Sequence, residues 1–160
     1  MCTNLSNIHV RLPANSLINP THEKFPSALR ACWITLNGIF NKRLKSVGIT
    51  ADQFSALRWI KEVNSQEFCQ KDLVKLMFTD ANNVAALVER MEKKNFILRS
   101  NCPNDKRKKV IKLTSQGIEK WKQASKIANS IERKALGALN DSQKAQLIDF
   151  LKKVNGCFYN

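Results

Sequence analysis

Features that would indicate an enzyme or a metal site are scarce in this sequence. Its 160 residues contain 2 histidines, His9 and His22, and 5 glycines, none of them arranged as a phosphate-binding loop. The 5 cysteines are widely spaced and include no Cys-x-x-Cys pair, so no zinc-binding pattern is present. Because no histidine follows His22, no nucleophile has a visible base nearby. We therefore predict no enzymatic activity and no metal or cofactor.

Long apolar runs are missing as well. No segment approaches the ~20 apolar residues of a membrane-spanning helix, and the N-terminus lacks the cationic start and apolar stretch of a signal peptide. Cys2 stands where an N-myristoylation signal would need glycine. An odd number of unpatterned cysteines is typical of reduced thiols. We expect a cytoplasmic protein without a membrane partner.

Acidic side chains are outnumbered by basic ones. The chain has 13 Asp and Glu against 27 Lys and Arg, which gives a formal net charge of +14. Hydrophobic residues make up 43%, so the chain has enough apolar side chains to form a core. Such an excess of positive charge on a folded chain indicates an anionic partner, above all nucleic acid.

Apolar residues at helical spacing predict six helices. In chain order, they begin at Pro26, at a Thr50 capping box, near Glu67, after a Thr79 or Asp80 cap, after a Thr114 cap, and at Asn140 or Asp141. The first is stopped by Gly48, the third ends near Met77, the fourth at Lys94 and the sixth at Gly156. The residues expected to face inward in the second, third, fourth and sixth helices are Phe54, Leu57, Ile60 and Val63; Leu73, Leu76 and Met77; Val84, Leu87, Val88 and Met91; and Leu147, Ile148, Leu151 and Val154. The apolar stripe of the first helix is Leu29, Trp33, Leu36, Phe40 and Leu44, and one side of the fifth carries Ile118, Trp121, Ala128, Ile131 and Ala135. Trp33 and Trp121 are expected in the core or in a dimer interface.

A β-hairpin is predicted between the fourth and fifth helices. Phe96 and Leu98 lead into it, and Ile111 and Leu113 lead out. Pro103, Asn104 and Asp105 supply turn residues, and four cations follow, namely Lys106, Arg107, Lys108 and Lys109. A hairpin that holds four cations near its tip is suited to bind DNA phosphate.

The order short helix, turn, helix and hairpin is typical of a winged helix-turn-helix, in which the second helix enters the DNA major groove. We predict a mainly α fold (α+β) of this kind. The predicted contacts of its two helices with DNA are Gln70, Lys71, Thr79, Asn82, Asn83, Ala86 and Arg90. Capping of a helix N-terminus is the alternative role for Asn82 and Asn83, and intramolecular pairing is the alternative for Arg90.

Several motifs resemble the MarR family of bacterial transcription regulators. Residues 102–107, Cys-Pro-Asn-Asp-Lys-Arg, are followed by Leu113-Thr114 and Gly117 as in the wing signature of that family. Residues 50–54 with Leu57 are similar to the start of its second helix, and residues 87–94 are similar to the end of its recognition helix. The resemblance covers about residues 26–156.

This resemblance implies a homodimer and a division of the chain. Residues 1–24 would form an arm, residues 25–48 and 114–160 a helical dimerisation body, and residues 49–113 a DNA-binding lobe. Arg107 would reach the minor groove, where narrow A·T tracts attract a guanidinium, and Asp105 would orient it. Small aromatic or anionic effectors often bind this family, and the equivalent residues here are Trp33, Asn37 and Arg58.

Taken together, these observations predict a sequence-specific DNA-binding regulator, a homodimeric repressor released from an inverted-repeat operator by a small ligand or an oxidant. Cys102 is the candidate redox-sensitive thiol, because nearby cations favour a thiolate. For Arg58, ordinary pairing with a neighbouring carboxylate is the alternative. For the whole chain, the alternative is a basic architectural protein that binds DNA or RNA without sequence preference.

Overall fold

The computed structural model describes residues 25–65, 67–102 and 109–157. These residues are mainly helical, with one two-stranded antiparallel sheet. The elements are α1 (Phe25–Leu44), a 3-10 turn (Lys45–Val47), α2 (Ala51–Val63), α3 (Gln70–Met77), α4 (Ala81–Lys93), β1 (Ile97–Asn101), β2 (Lys109–Leu113), α5 (Ser115–Ala135) and α6 (Asp141–Gly156). No helix in these ranges is long and apolar enough to cross a membrane.

The chain divides into two compact units, one ending at Thr35 and the other beginning at Leu36. The described part of the first unit is the first half of α1. Its large apolar side chains Leu29, Trp33 and Ile34 are exposed. The apolar stripe predicted for the first helix is therefore exposed at Leu29 and Trp33 in the single chain, which leaves open the dimer-interface role considered for Trp33.

Local capping chemistry sets the helix ends, as predicted. Thr50 and Gln53 form a reciprocal capping box at the start of α2, since each side chain accepts a hydrogen bond from the backbone N–H of the other, at 3.2 and 3.1 Å. Asp80 caps α4 and Asn140 caps α6. Gly48 closes the turn after α1 with a φ of 74°, a conformation that glycine adopts without strain.

One hydrophobic core lies in the second unit. Its buried apolar side chains run from Leu44 to Ala124 and come from the end of α1, the 3-10 turn, α2, α3, α4, both strands, α5 and the segments between them. The predicted inward residues of α4 are all buried, and those of α2 are buried except Val63. Val63 is 44% exposed because it is the last residue of α2 and lies past its packed turns.

The hairpin pairs Ile97 with Leu113 and Asn101 with Lys109. Phe96 and Ile97 are buried and Leu98 is 58% exposed. Asn95, between α4 and the strand, is left-handed with a φ of 54°. Of the two apolar residues expected to lead into the hairpin, Phe96 therefore packs in the core and Leu98 does not.

A short extended segment before α3 also joins the hairpin. The carbonyl of Phe68 accepts a hydrogen bond from the N–H of Ile111 at 2.8 Å, and Cys69 forms a bridge with Val110. The predicted start of the third helix near Glu67 is therefore wrong, and α3 begins at Gln70. Strand-like pairing of Phe68 and Cys69 with β2 prevents those residues from being helical, so the buried Phe68 anchors the hairpin to the helices.

The last two helices differ in how they pack. Helix α5 buries Ala124 and half-buries Trp121, whereas Ala135 at its end is exposed. Helix α6 buries no residue. The predicted inward set of α6 (Leu147, Ile148, Leu151 and Val154) is exposed by 37–50%, so that prediction is wrong for the single chain.

Candidate nucleic-acid interface

Helix α4 has one face in the core and one face in solvent. Val84, Leu87, Val88 and Met91 fix the inner face, spaced by three or four residues as one side of a helix requires. The exposed residues of α4 are Ala81, Asn82, Asn83, Ala85, Ala86, Glu89, Arg90 and Lys93. The outer face of the predicted recognition helix is therefore available to a partner, and its first two turns carry only small or amide side chains.

The two asparagines at the start of α4 lie in different surroundings. The backbone N–H of Asn83 donates to Asp80 Oδ1 at 2.8 Å, and the Asn83 side-chain amide donates to Asp80 Oδ2 at 2.5 Å. Asn83 is thus engaged in the helix cap, which was the alternative role considered for it. Asn82 is exposed on the outer face, and it is the asparagine of this pair better placed to meet a base edge.

The other predicted contacts of the two helices lie around α3 and farther along α4. Gln70 and Thr79 are half-buried, and Lys71 and Arg90 are exposed. Gln70 and Lys71 are the first two residues of α3, where backbone N–H groups favour an anion. Their contact with phosphate stays a prediction.

An ion pair that sequence patterns did not indicate joins α4 to β1. Arg99 Nε lies 2.8 Å from Glu92 Oε2, and Arg99 Nη2 contacts the same oxygen. The hydrogen bond from Arg99 lowers the pKa of Glu92, and the same bond raises the pKa of Arg99. The strand that leads to the hairpin tip is thereby fastened to the recognition helix. No local spacing rule connects residues seven positions apart across a turn, which explains why the pair was missed.

The tip of the hairpin lies outside the described residues. The predicted contacts Lys106, Arg107 and Lys108, and the orienting Asp105, fall there and stay predictions. Lys109 is exposed at the start of β2, and its Nζ donates to Asn101 Oδ1 at 2.6 Å.

Cys102, the candidate redox thiol, is only 2% exposed. Burial limits the access of an oxidant to this thiol, and its redox role stays a prediction. In the described ranges, no group of three His, Cys, Asp or Glu side chains is placed to hold a metal ion.

The predicted ligand residues have separate surroundings. Trp33 is 65% exposed. The Asn37 side chain accepts a hydrogen bond from Asn41 Nδ2 at 3.1 Å. Arg58 lies 3.8 Å from Glu62 and 4.9 Å from the centre of the Trp59 ring. Arg58 therefore has the neighbouring carboxylate considered as its alternative partner, and ligand binding by these residues stays a prediction.

Comparisons with known proteins agree with this architecture. A sequence model of the MarR family matches residues 49–109. The HTH-type transcriptional repressor NicR of Pseudomonas putida is 24% identical over 132 residues, which cover 82% of each chain.

Two solved structures share the fold. MepR of S. aureus in a complex with DNA has a TM-score of 0.79 and 21% identity, and the match covers 84% of this chain and 96% of that chain. BpsR of Bordetella bronchiseptica, whose DNA binding is regulated by 6-hydroxynicotinic acid, has a TM-score of 0.76 and 24% identity, over 83% and 94% of the two chains. The family match spans α2, α3, α4 and the hairpin up to the first residue of β2, and the solved structures have the same winged helix-turn-helix fold. Residues 49–109 thus match the MarR family, and most of the chain has the fold of these two solved structures.

Proposed function

We propose that this regulator is a homodimeric, sequence-specific repressor that binds an inverted-repeat DNA operator and is released by a small ligand or an oxidant. Such a protein acts on the chromosome rather than as an enzyme, and we place it in the cytoplasm. We further propose that residues 49–113 are the DNA-binding lobe and that residues 25–48 and 114–160 form the dimerisation body.

One observation carries the proposal. The outer face of α4 is exposed, and the Glu92–Arg99 ion pair joins α4 to β1, the first strand of the hairpin, which is the wing of this fold. A helix of about 10–12 Å diameter fits the major groove, and residues near its N-terminus can meet base edges. Because β1 is tied to the same helix, the hairpin and α4 can approach one duplex together. The net charge of +14 supplies the electrostatic attraction.

Exposed apolar side chains on α6 support the proposal that the chain forms a homodimer. On α6, Leu147, Leu151 and Val154 recur at intervals of four and three residues and so share one face of the helix. An apolar helix face that is open in a monomer indicates a protein interface. In a two-fold dimer, the recognition helices would lie about one turn of DNA apart, ~34 Å, so the operator would be an inverted repeat.

Repression and release are supported by the relatives. NicR is named a repressor, and the DNA binding of BpsR is regulated by a small aromatic acid. We extend these properties to this chain as a proposal, with a small aromatic or anionic effector and with Trp33, Asn37 and Arg58 as its candidate contacts. Oxidation of Cys102 is the alternative trigger.

Selection of bound fragments from the host genome tests the proposal. A sequence-specific repressor should enrich promoter fragments that contain an inverted repeat and should retain them against excess random DNA. The logarithm of its affinity should fall steeply with the logarithm of salt concentration, because several phosphates are neutralised in each half-site.

Two wing variants sharpen the test. Arg107→Ala should weaken operator binding at least about tenfold, the scale of a charged contact, and Asp105→Ala should weaken it less, through a misplaced arginine. Lys126→Ala removes one exposed cation from α5, outside the proposed contacts, and should leave affinity nearly unchanged. If random DNA displaces every fragment, the chain is an architectural protein. If both wing variants bind as tightly as the parent, the wing assignment fails.

A further inference from the structure

Phe78 combines an exposed aromatic ring with an unfavourable backbone conformation. It follows the last residue of α3 with φ 51° and ψ 44°, and the residue is 65% exposed. A bulky side chain rarely adopts the left-handed region, which glycine and asparagine occupy at little cost. The other two non-glycine residues with positive φ in the described ranges are asparagines, Asn64 and Asn95. At this one corner, the chain instead exposes a phenyl ring.

The position of Phe78 places the ring at the entrance to the recognition helix. Phe78 lies two residues before Asp80, the cap of α4. In a helix-turn-helix, the residues at the start of the second helix are those that meet base edges in the major groove. Consecutive Cα atoms are 3.8 Å apart, so the Phe78 backbone lies within ~8 Å of the cap, at the end of α4 that the proposed function places in the groove.

Beside the exposed Asn82 and Asn83, this surface carries small apolar side chains and no basic ones. Ala81, Ala85 and Ala86 are exposed on the first turns of α4. No lysine or arginine occurs between Lys75 and Arg90. Among the base edges of the major groove, the thymine C5-methyl is the apolar group, and alanine and phenylalanine are side chains that contact it.

We infer that Phe78, together with the exposed alanines of α4, contacts thymine methyl groups and thereby selects A·T base pairs where α4 enters each operator half-site. The inference rests on the proposed DNA-binding function and names the base chemistry that this site reads. It also explains the strained backbone: glycine would relieve the strain, but it would remove the apolar contact.

Uracil substitution provides the test. Each thymine of the operator recovered by genomic selection is replaced singly by deoxyuridine, which removes only the methyl group. For the parent protein, at least one substitution per half-site should weaken binding about fourfold, the value expected for one buried methyl-sized group. Phe78→Gly should bind the thymine operator more weakly and should lose the difference between thymine and uracil at that position.

Two further variants distinguish loss of the contact between the Phe78 ring and DNA from an effect on folding. Phe78→Asn removes the ring with a residue suited to the left-handed region, and it should behave like Phe78→Gly. Asn64→Gly makes a matched change at the end of α2, where φ is 44°, and it should keep the full thymine preference. Urea unfolding of Phe78→Gly should show no loss of stability, because the backbone strain is removed.

Each outcome has one interpretation. The inference is overturned if no thymine is sensitive to loss of its methyl group, or if the Phe78 variants keep the parent's preference. It is also overturned if Asn64→Gly loses that preference as the Phe78 variants do. If the parent selects no operator at all, the proposed function fails and this inference fails with it. A specific operator without methyl sensitivity removes only the inference.

Discussion

Residues 49–113, the proposed DNA-binding lobe, and helix α6 differ in how far their apolar side chains are buried. In the lobe, Leu57, Leu73, Val88 and Ile97 are completely buried within one chain. On α6, Phe150 is 59% exposed and no residue is buried. Both segments carry large apolar side chains on helices, so the presence of such side chains alone does not explain the difference.

Residues 49–113 thus share one core with Leu44 and Ala124 inside the single chain, whereas the apolar face of α6 is open and is part of the proposed dimer interface. Burial of apolar area stabilises folding or association by roughly 25 cal/mol per Å². The exposed apolar face of α6 contributes none of this free energy in the single chain. A second copy of the chain is the partner that can offer the same surface in return. Substitutions in the lobe should therefore act at every protein concentration, whereas substitutions on α6 should act through assembly.

The largest effect is expected for Leu151→Lys on α6. If the dimer buries this face, the new charge lies unpaired in an apolar interface, at a cost of about 3–5 kcal/mol. Sedimentation should then show monomers at concentrations where the parent is dimeric, and operator affinity should fall because two half-sites are no longer bound together.

If Leu151→Lys leaves the sedimentation of the protein unchanged, α6 does not act through assembly and the contrast between the two regions is refuted. Lys152→Glu is a matched control on the same helix, because Lys152 is already charged and exposed. It should keep the parent's oligomeric state.

A second, smaller effect is expected at Gly117 in α5, which packs against the residue before β1. A Cβ atom there would lie 2.0 Å from the backbone oxygen of Phe96, so the backbone itself would have to move. Gly117→Ala should lower the free energy of unfolding by about 3 kcal/mol, as overpacking of a rigid site does, at any protein concentration. Urea unfolding followed by circular dichroism measures the change.

Gly38→Ala in α1 is the counterpart for this test. A Cβ atom at Gly38 meets nothing within 4 Å in the single chain, so alanine should stabilise the helix by about 0.5–1 kcal/mol. A concentration-dependent loss of stability in Gly38→Ala would instead show that the partner packs against this position. If Gly117→Ala unfolds like the parent, the close packing at Phe96 is refuted.

The smallest effect is expected at the Glu92–Arg99 pair. The pKa of Glu92 is lowered from its ordinary value of 4.5, chiefly by the hydrogen bond from Arg99. The folded protein therefore binds this proton less tightly than the unfolded chain, so the stabilisation is present above pH 4.5 and disappears as the pH falls through the folded value. Glu92→Gln should cost less than about 1 kcal/mol at pH 7 and should reduce the loss of stability below pH 4.5.

The operator affinity of Glu92→Gln, compared with that of a variant on α6, distinguishes the roles of the two regions in DNA binding. Glu92→Gln should weaken operator binding, because β1 is no longer fastened to α4. Asp141 on α6 also has a lowered pKa, caused mainly by its hydrogen bond with Lys144. Asp141→Asn should alter acid stability without altering operator affinity. If the parent, Glu92→Gln and Asp141→Asn bind the operator with equal affinity, Glu92 has no role in positioning the hairpin.

Much of the fold could be predicted because it depends on local chemistry. Caps such as Thr50 and Asp80, and the stop at Gly48, act within a few residues along the chain and were confirmed at those positions. The start of α3 could not be found in this way, since Phe68 and Cys69 are drawn into pairing with β2, about 40 residues later.

In the candidate site, too, some features follow from local sequence patterns and others from tertiary packing. Periodicity and composition alone determined that α4 has an outer face of small and amide side chains, that a basic hairpin follows it, and that the chain favours an anionic partner. Only the tertiary structure decided that Arg99 fastens the hairpin to α4 and that the phenyl ring of Phe78 is exposed. The physical reason is that periodicity reports the neighbours of a residue along one helix or strand, whereas ion pairs between elements and the exposure of a turn residue depend on how the elements pack.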